Sequence, residues 1–242
     1  ELINLNAIMN LPKGTEHFMS DLHGEYDAFY HIINNCSGVI REKVAMLYGD
    51  ELTVYEQQEL CTLIYYPREK LSILMDENKV NDEWYRNVLN QLIQIAKLLS
   101  SKYTRSKVRK AMPVDFAYII DELIHAQKDE DDNRSVYHRQ IMETILSLHN
   151  GDEFLVALTD LIKRLAVDHL HILGDIYDRG AHADKILDLL MEHHSVDIQW
   201  GNHDILWMGV FCGNPVCMAL VVRNNIKYKT MSILENGYGI SL

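Results

Sequence analysis

A chain of 242 residues, 48% of them hydrophobic, is long enough to bury one or two cores and reads as globular. Its formal charge of −12 argues against the clustered lysine and arginine surface that nucleic acid requires, so no nucleic-acid partner is expected. No apolar run approaches the ~20 residues that cross a bilayer, so no membrane partner is expected either.

Residues 17–20 read as the end of a strand leading into Asp21, and Glu25 to Asn34 follows as a helix with Ala28, Phe29, Ile32 and Ile33 on one face. From about Arg41 to Val167 the pattern is helical almost throughout. Trp84, Val88, Leu92, Ile95 and Leu99 keep helical spacing, as do Phe116, Ile119, Ile120, Leu123 and Ile124. Pro67 and Pro113 stand at helix starts, Lys128–Asn133 reads as a solvated turn, and Gly151 separates two further helices. His169 to Leu173 is a compact apolar run and reads as a buried strand; Ala183 to Glu192 is a helix, and Val196 to Trp200 another strand. Strand, helix, strand in that order predicts a βαβ unit and a parallel sheet. Everything after Asp204 looks helical, up to about Glu235. The expected fold class is therefore α/β, interrupted by a large all-helical insertion.

Three polar stretches each follow one of these strand ends: Asp21-Leu22-His23-Gly24, Gly174-Asp175-Ile176-Tyr177-Asp178-Arg179-Gly180 and Gly201-Asn202-His203-Asp204. They supply carboxylates, imidazoles and a carboxamide, which are ligands for divalent first-row metals, with an arginine alongside. Asp21 and His23, two apart in an extended segment, are expected to face one metal together. Asp175 is expected to bridge two ions and Asn202 to offer a neutral oxygen at the next strand end. Such a set suits phosphoester hydrolysis, where cations roughly 3.5–4 Å apart stabilise attacking and leaving oxygens. Arg179 then holds a phosphoryl oxygen through its planar fork, and His203 acts as general acid or stabilises the leaving group, oriented by a carboxylate such as Asp178. Any one motif is a weak signal; the ordered set, each after a strand, is a specific one.

The three motifs resemble those of the calcineurin-like metallophosphoesterases. Lys13–Ser20 leading into Asp21–Tyr26 is similar to the class III fructose-1,6-bisphosphatases of bacteria. So are Ser101–Lys107, Val167–His171 and Ser195–Trp200, and the likeness extends through the helical insertion. The resemblance implies a partial metallophosphoesterase-like core, residues 1–40 and 165–242, and a helical insertion over 41–164. It implies that Asp21, His23 and Asp175 bind a first metal, that Asp175 and Asn202 contribute to a second, and that Asp178, Arg179 and His203 are catalytic. It further implies manganese, a small-molecule sugar phosphate as substrate, and removal of the 1-phosphate of fructose 1,6-bisphosphate in gluconeogenesis. The alternatives are a protein or dinucleotide phosphatase on the same site, or an inactive fragment with an incomplete site that serves only as a folded scaffold. Superfamily members complete the metal site with further downstream histidines, and none occurs here after His203. Members of this branch are longer, so this predicts the N-terminal portion of an enzyme, impaired by itself, while Glu1 rather than Met at the start predicts an upstream segment removed or never included.

Plainer readings hold elsewhere. His169 and His171 are expected to be structural, their ring nitrogens satisfied by backbone. His193 and His194 are placed near a helix C-terminus, where positive charge is favourable. His17 is expected to have no part in the site. Lys102, Arg105, Lys107, Arg109 and Lys110 read as a solvated helix face, and the Trp84-to-Leu99 stripe as packing. Cys36, Cys61, Cys212 and Cys217 form no C-x-x-C pair and read as reduced thiols of a cytoplasmic protein; an oligomer is left open.

Overall fold

Capping side chains and apolar spacing divide the chain into short elements. The computed structural model describes residues 1–126, 132–237 and 239. Helix α1 (Leu2–Met9) precedes strand β1 (Glu16–Met19) and helix α2 (Tyr26–Asn35). Helices α3 (Val39–Tyr48), α4 (Val54–Tyr65), α5 (Pro67–Asp76), α6 (Asp82–Ser100) and α7 (Arg105–Ala111) follow. Next come α8 (Ala117–His125), α9 (Asp132–Ser147) and α10 (Gly151–Ala166). Strand β2 (His169–Ile172), helix α11 (Ala183–Glu192), strand β3 (Val196–Ile198), α12 (Asn202–Phe211) and α13 (Pro215–Tyr228) complete the order. Contacts divide the chain into two compact units: Glu1–Gly14 with Asn34–Val167, and Thr15–Ile33 with Asp168–Leu242.

The first unit is helical. Thr53 and Glu56 exchange hydrogen bonds in a capping box that starts α4, and Asn81 Oδ1 accepts from Trp84 N at 2.8 Å to start α6. Pro67 takes the first position of α5, where its missing N–H has no intrahelical partner to lose. Pro113 stands just before a single tight turn, Val114–Phe116, that leads into α8. Leu89, Leu92, Ile95 and Leu99 of α6 lie fully buried among Leu155, Leu158, Leu161 and Ile162 of α10. Each such side chain contributes about 1.5–3 kcal/mol relative to exposure. The anticipated stripe is this core, with Trp84 packed only at its edge. In the Lys128–Asn133 run, 128–131 lie outside the described residues, and Asp132 and Asn133 already belong to α9.

The second unit carries a three-stranded sheet in the order β1-β2-β3, all parallel, with His17 opposite Leu170 and His171 opposite Asp197. The α/β class with a long helical stretch is thus present, β2-α11-β3 forming the parallel crossover. One sheet face buries Leu170 and Ile172 against Phe29 of α2 and Ile186 and Leu190 of α11. The other carries Glu16, Phe18, His169, His171 and Asp197. The last strand is shorter than expected. Gln199 N still donates to Ile172 O at 2.8 Å, but Trp200 then turns outward, 67% exposed. The helical tail is interrupted twice, at Gly213 (φ 77°) and at Lys229 (φ 59°), both left-handed. Asn214 caps α13 by accepting from Val216 N and Cys217 N. Among the described residues no helix is long and apolar enough to cross a membrane. All four cysteines are thiols, and burial pushes that of Cys36 up to about 12.

Candidate functional site

The three polar loops meet at the C-terminal ends of the strands, the edge at which α/β sheets bind ligands. Their backbones zip together. Asp21 N donates to Gly174 O (3.1 Å), His23 N to Asp175 O (2.8 Å) and Gly24 N to Ile176 O (2.8 Å). In return Gly180 N donates to His23 O at 2.6 Å. This close approach forces Asp21, His23, Asp175, Asp178 and Arg179 into the left-handed region, at φ of 45° to 75°. Such residues each store about 1–3 kcal/mol and concentrate at functional sites. Gly24, itself at φ 67°, is required here: a Cβ would stand 2.5 Å from the Gly180 carbonyl oxygen.

One sequence expectation needs correction. Asp21 and His23 do face one point, but through this left-handed turn rather than along an extended strand, because their N–H groups are drawn to the second loop. Ligand atoms of Asp21, His23 and Asp175 all lie within 4.8 Å of one another. His23 is 5% exposed, and its Nδ1 is 3.1 Å from Tyr177 O. A carbonyl can only accept, so Nδ1 carries the proton and Nε2 presents its lone pair. That Nε2 is buried, has no hydrogen-bond partner, and stands 3.4 Å from Asp21 Oδ1. An unpaired imidazole lone pair facing two carboxylates, its other nitrogen held by a carbonyl, fits a divalent cation.

Beside it, the His203 ring lies 5.2 Å from that of His23, nearly perpendicular. His203 Nδ1 donates to Asp178 Oδ2 at 2.8 Å, and its backbone N donates to Asp175 Oδ1 at 3.1 Å. Asp178, 1% exposed, also accepts from Asn224 Nδ2 (2.8 Å) and from Trp207 Nε1 (3.0 Å). Four donors' worth of geometry therefore converges on two carboxylates. Arg179 and Asn202 are both exposed. Asn202 opens α12 one residue before His203, and among the described residues no hydrogen bond ties it to Asp21, His23 or Asp175.

Asp204 is a residue whose part sequence reasoning missed. It is 6% exposed and accepts from four backbone N–H groups: Asp175 (2.7 Å), Gly201 (2.8 Å), Ile176 (2.9 Å) and Tyr177 (3.2 Å). It thus ties the second loop to the third. Its place as the third residue of a helix opened by Gly201-Asn202 is a capping signal that was available. Trp207 and Asn224, which hold Asp178, carry no such signal.

The other histidines differ from expectation in two respects. His169 and His171 are not satisfied by backbone. His169 Nε2 and His171 Nδ1 stand 2.9 and 3.0 Å from Asp197 Oδ2, and His169 Nδ1 is 2.6 Å from Ser195 Oγ. Parallel register, which sets His171 opposite Asp197, brings those groups together. His193 does end α11, yet burial pulls its pKa below the usual imidazole value, so burial outweighs the helix-end field. Burial lowers that of His17 as well, with His193 adding to it.

Comparison with known proteins agrees in direction with this geometry. The model of the family described as "Firmicute fructose-1,6-bisphosphatase" matches residues 1–242. The chain is 56% identical over 242 residues to "Fructose-1,6-bisphosphatase class 3 1" of Clostridium beijerinckii, covering all of this chain and 36% of that protein. It is 54% identical to the class 3 enzyme of Listeria innocua, covering 37% of it, and 52% identical to that of Bacteroides fragilis, covering 36%. The chain thus spans a little over a third of the length of these curated relatives. No solved structure matches it. With the whole chain matched, it belongs to the Firmicute fructose-1,6-bisphosphatase family.

Proposed function

We propose that this chain carries metal-holding and proton-handling residues of a phosphomonoesterase that removes the 1-phosphate of fructose 1,6-bisphosphate, the step that commits carbon to gluconeogenesis. The observation that carries the reading is the buried, unpaired Nε2 of His23 facing Asp21 and Asp175, with the Asp178–His203 pair beside it. The substrate rests on family membership and on the names of the relatives. In this reading Asp21, His23 and Asp175 hold one divalent cation, and Asp175 and Asn202 contribute to a second. Manganese suits their mixed oxygen and imidazole donors. The thiol-only cysteines suit a cytoplasmic enzyme. The helical unit is then an insertion into an α/β core, between its first strand–helix pair and the rest.

Cations held there supply charge for the phosphoryl oxygens and acidity for the attacking water. The chain's own part is orientation and proton transfer. Asp178 holds the Nδ1–H of His203, so Nε2 is the nitrogen left to give or take a proton. As the oxygen of the attacking water bonds to phosphorus, the bond from phosphorus to the sugar oxygen breaks, its electron pair goes to that oxygen, and the doubly protonated imidazole gives it the Nε2 proton while Nδ1–H stays on Asp178. Asp178 is itself locked by Trp207 and Asn224, so the imidazole is aimed before substrate arrives. Arg179, exposed beside the loop, offers two parallel N–H donors to the transferred phosphoryl group.

The test is a chimera in which these 242 residues replace the matched stretch of the Clostridium beijerinckii relative. Phosphate release from fructose 1,6-bisphosphate with Mn²⁺ is expected, with loss of at least a hundredfold on His23→Ala. Release from a phosphoprotein or dinucleotide but not from the bisphosphate would overturn the substrate assignment. Undiminished turnover by the His23→Ala chimera would overturn the metal assignment.

A further inference from the structure

We propose that His169, His171 and Asp197 form a second divalent-metal site, of the zinc class, that clips β2 to β3 on the outer sheet face. These residues take no part in the site described above. They lie on the sheet face opposite the one that buries Leu170 and Ile172, and the strand reaches Asp175 only four residues after His171.

His169 and His171, two apart on β2, point to one side, with ring centroids 4.4 Å apart. Asp197 comes from the neighbouring strand by register. The ligand atoms of all three lie within 4.8 Å of one another, and both imidazole nitrogens approach the same carboxylate oxygen at 2.9 and 3.0 Å. Zinc bonds of about 2.0–2.1 Å in a tetrahedral shell set neighbouring ligand atoms roughly 3.3 Å apart, so a small relaxation suffices.

The second observation is an orphan. Without a cation, His171 donates its Nδ1 proton to Asp197, which leaves Nε2 a bare lone pair. That atom is buried with no hydrogen-bond partner. Cation binding at Nδ1 moves the proton to Nε2, 3.9 Å from Glu16 Oε2, and a shift of that exposed side chain by about 1 Å makes it the acceptor. His169 behaves likewise: Nε2 becomes a ligand and Nδ1–H donates to Ser195 Oγ. Each imidazole then has one nitrogen on the cation and the other on an oxygen acceptor, the usual environment of a metal-bound histidine. Phe18 stacks on the His171 ring at 4.4 Å and 13°, which fixes its plane. Asp197 is exposed, so water completes the shell. Two imidazoles and one carboxylate favour zinc or cobalt over manganese, whose preferred donors are oxygens.

Equilibrium dialysis of the chain against Co²⁺ tests this, in a His23→Gln, Asp175→Asn background that removes the other cluster. One equivalent of Co²⁺ should be retained, with visible d–d absorption that Zn²⁺ abolishes. His171→Gln in that background should lose the equivalent, and Asp197→Asn should weaken binding at least tenfold. No retained Co²⁺, or retention unchanged by His171→Gln, overturns the proposal. Should the background variant fail to fold by circular dichroism, Zn²⁺ stoichiometry is compared between the unaltered chain and His171→Gln alone. A fall of one equivalent supports the site, and no fall overturns it.

Discussion

Replacing Asp204 by alanine is expected to destabilise the sheet-bearing unit by about 3–5 kcal/mol, the worth of roughly two hydrogen bonds to a charged group. The carboxylate accepts from four backbone N–H groups, and alanine takes that acceptor from all four where the side chain is almost wholly buried. A single hydrogen bond to a charged group is worth about 1.5–3 kcal/mol net, and an orphaned buried donor adds its own desolvation cost. The groups released belong to Asp175, Ile176, Tyr177 and Gly201, so metal affinity should fall together with stability. Asp204→Asn keeps one acceptor oxygen but turns an NH₂ toward N–H donors, and should lie between the two. Urea unfolding followed by fluorescence in a Trp84→Phe background, where Trp200 and Trp207 report this unit, measures the effect. A loss below about 1 kcal/mol, the worth of one ordinary hydrogen bond, would contradict the bracing role.

Asp178→Asn in the chimera is expected to lower kcat about 10²–10⁴-fold, the range that positioned acid–base groups supply. The isosteric carboxamide leaves the volume unchanged, so the fold should hold. It must, however, satisfy three donors at once: His203 Nδ1, Asn224 Nδ2 and Trp207 Nε1. Its oxygen can serve only one side, and it carries no charge, so the doubly protonated imidazole that donates from Nε2 loses the carboxylate that stabilises and orients it. KM should change little, since Asp178 is buried away from substrate. Equal losses from Asp178→Asn and His203→Gln, with no further loss in the double variant, would show the pair acting as a unit. Full additivity would contradict it.

Much of the scaffold was readable from residue order because its signals are local. Helix α11 has the bounds its apolar spacing predicts, and β2 and β3 begin at the residues where their apolar runs begin. The three loops were readable for the same reason: each pairs unusual residues over four to seven positions. What escaped depends on contacts distant along the chain. Asn224 reaches Asp178 across 46 residues, and Trp207 across 29. Neither residue type nor spacing marks them as partners. The backbone route to the Asp21–His23 pair escaped because left-handed geometry arises from hydrogen bonds to a loop some 150 residues later. His169 and His171 were misread for a related reason. Their partners Ser195 and Asp197 become neighbours only through strand register, which alternation within one strand does not reveal.

The central claim is that Asp21, His23 and Asp175 are a metal centre. Its most direct test is titration of the chain with Mn²⁺, followed by the electron paramagnetic resonance signal of the free ion, in a His171→Gln background. Saturable loss of that signal is predicted, weakened at least tenfold by Asp175→Asn. Superimposable titrations of the two proteins would contradict the claim.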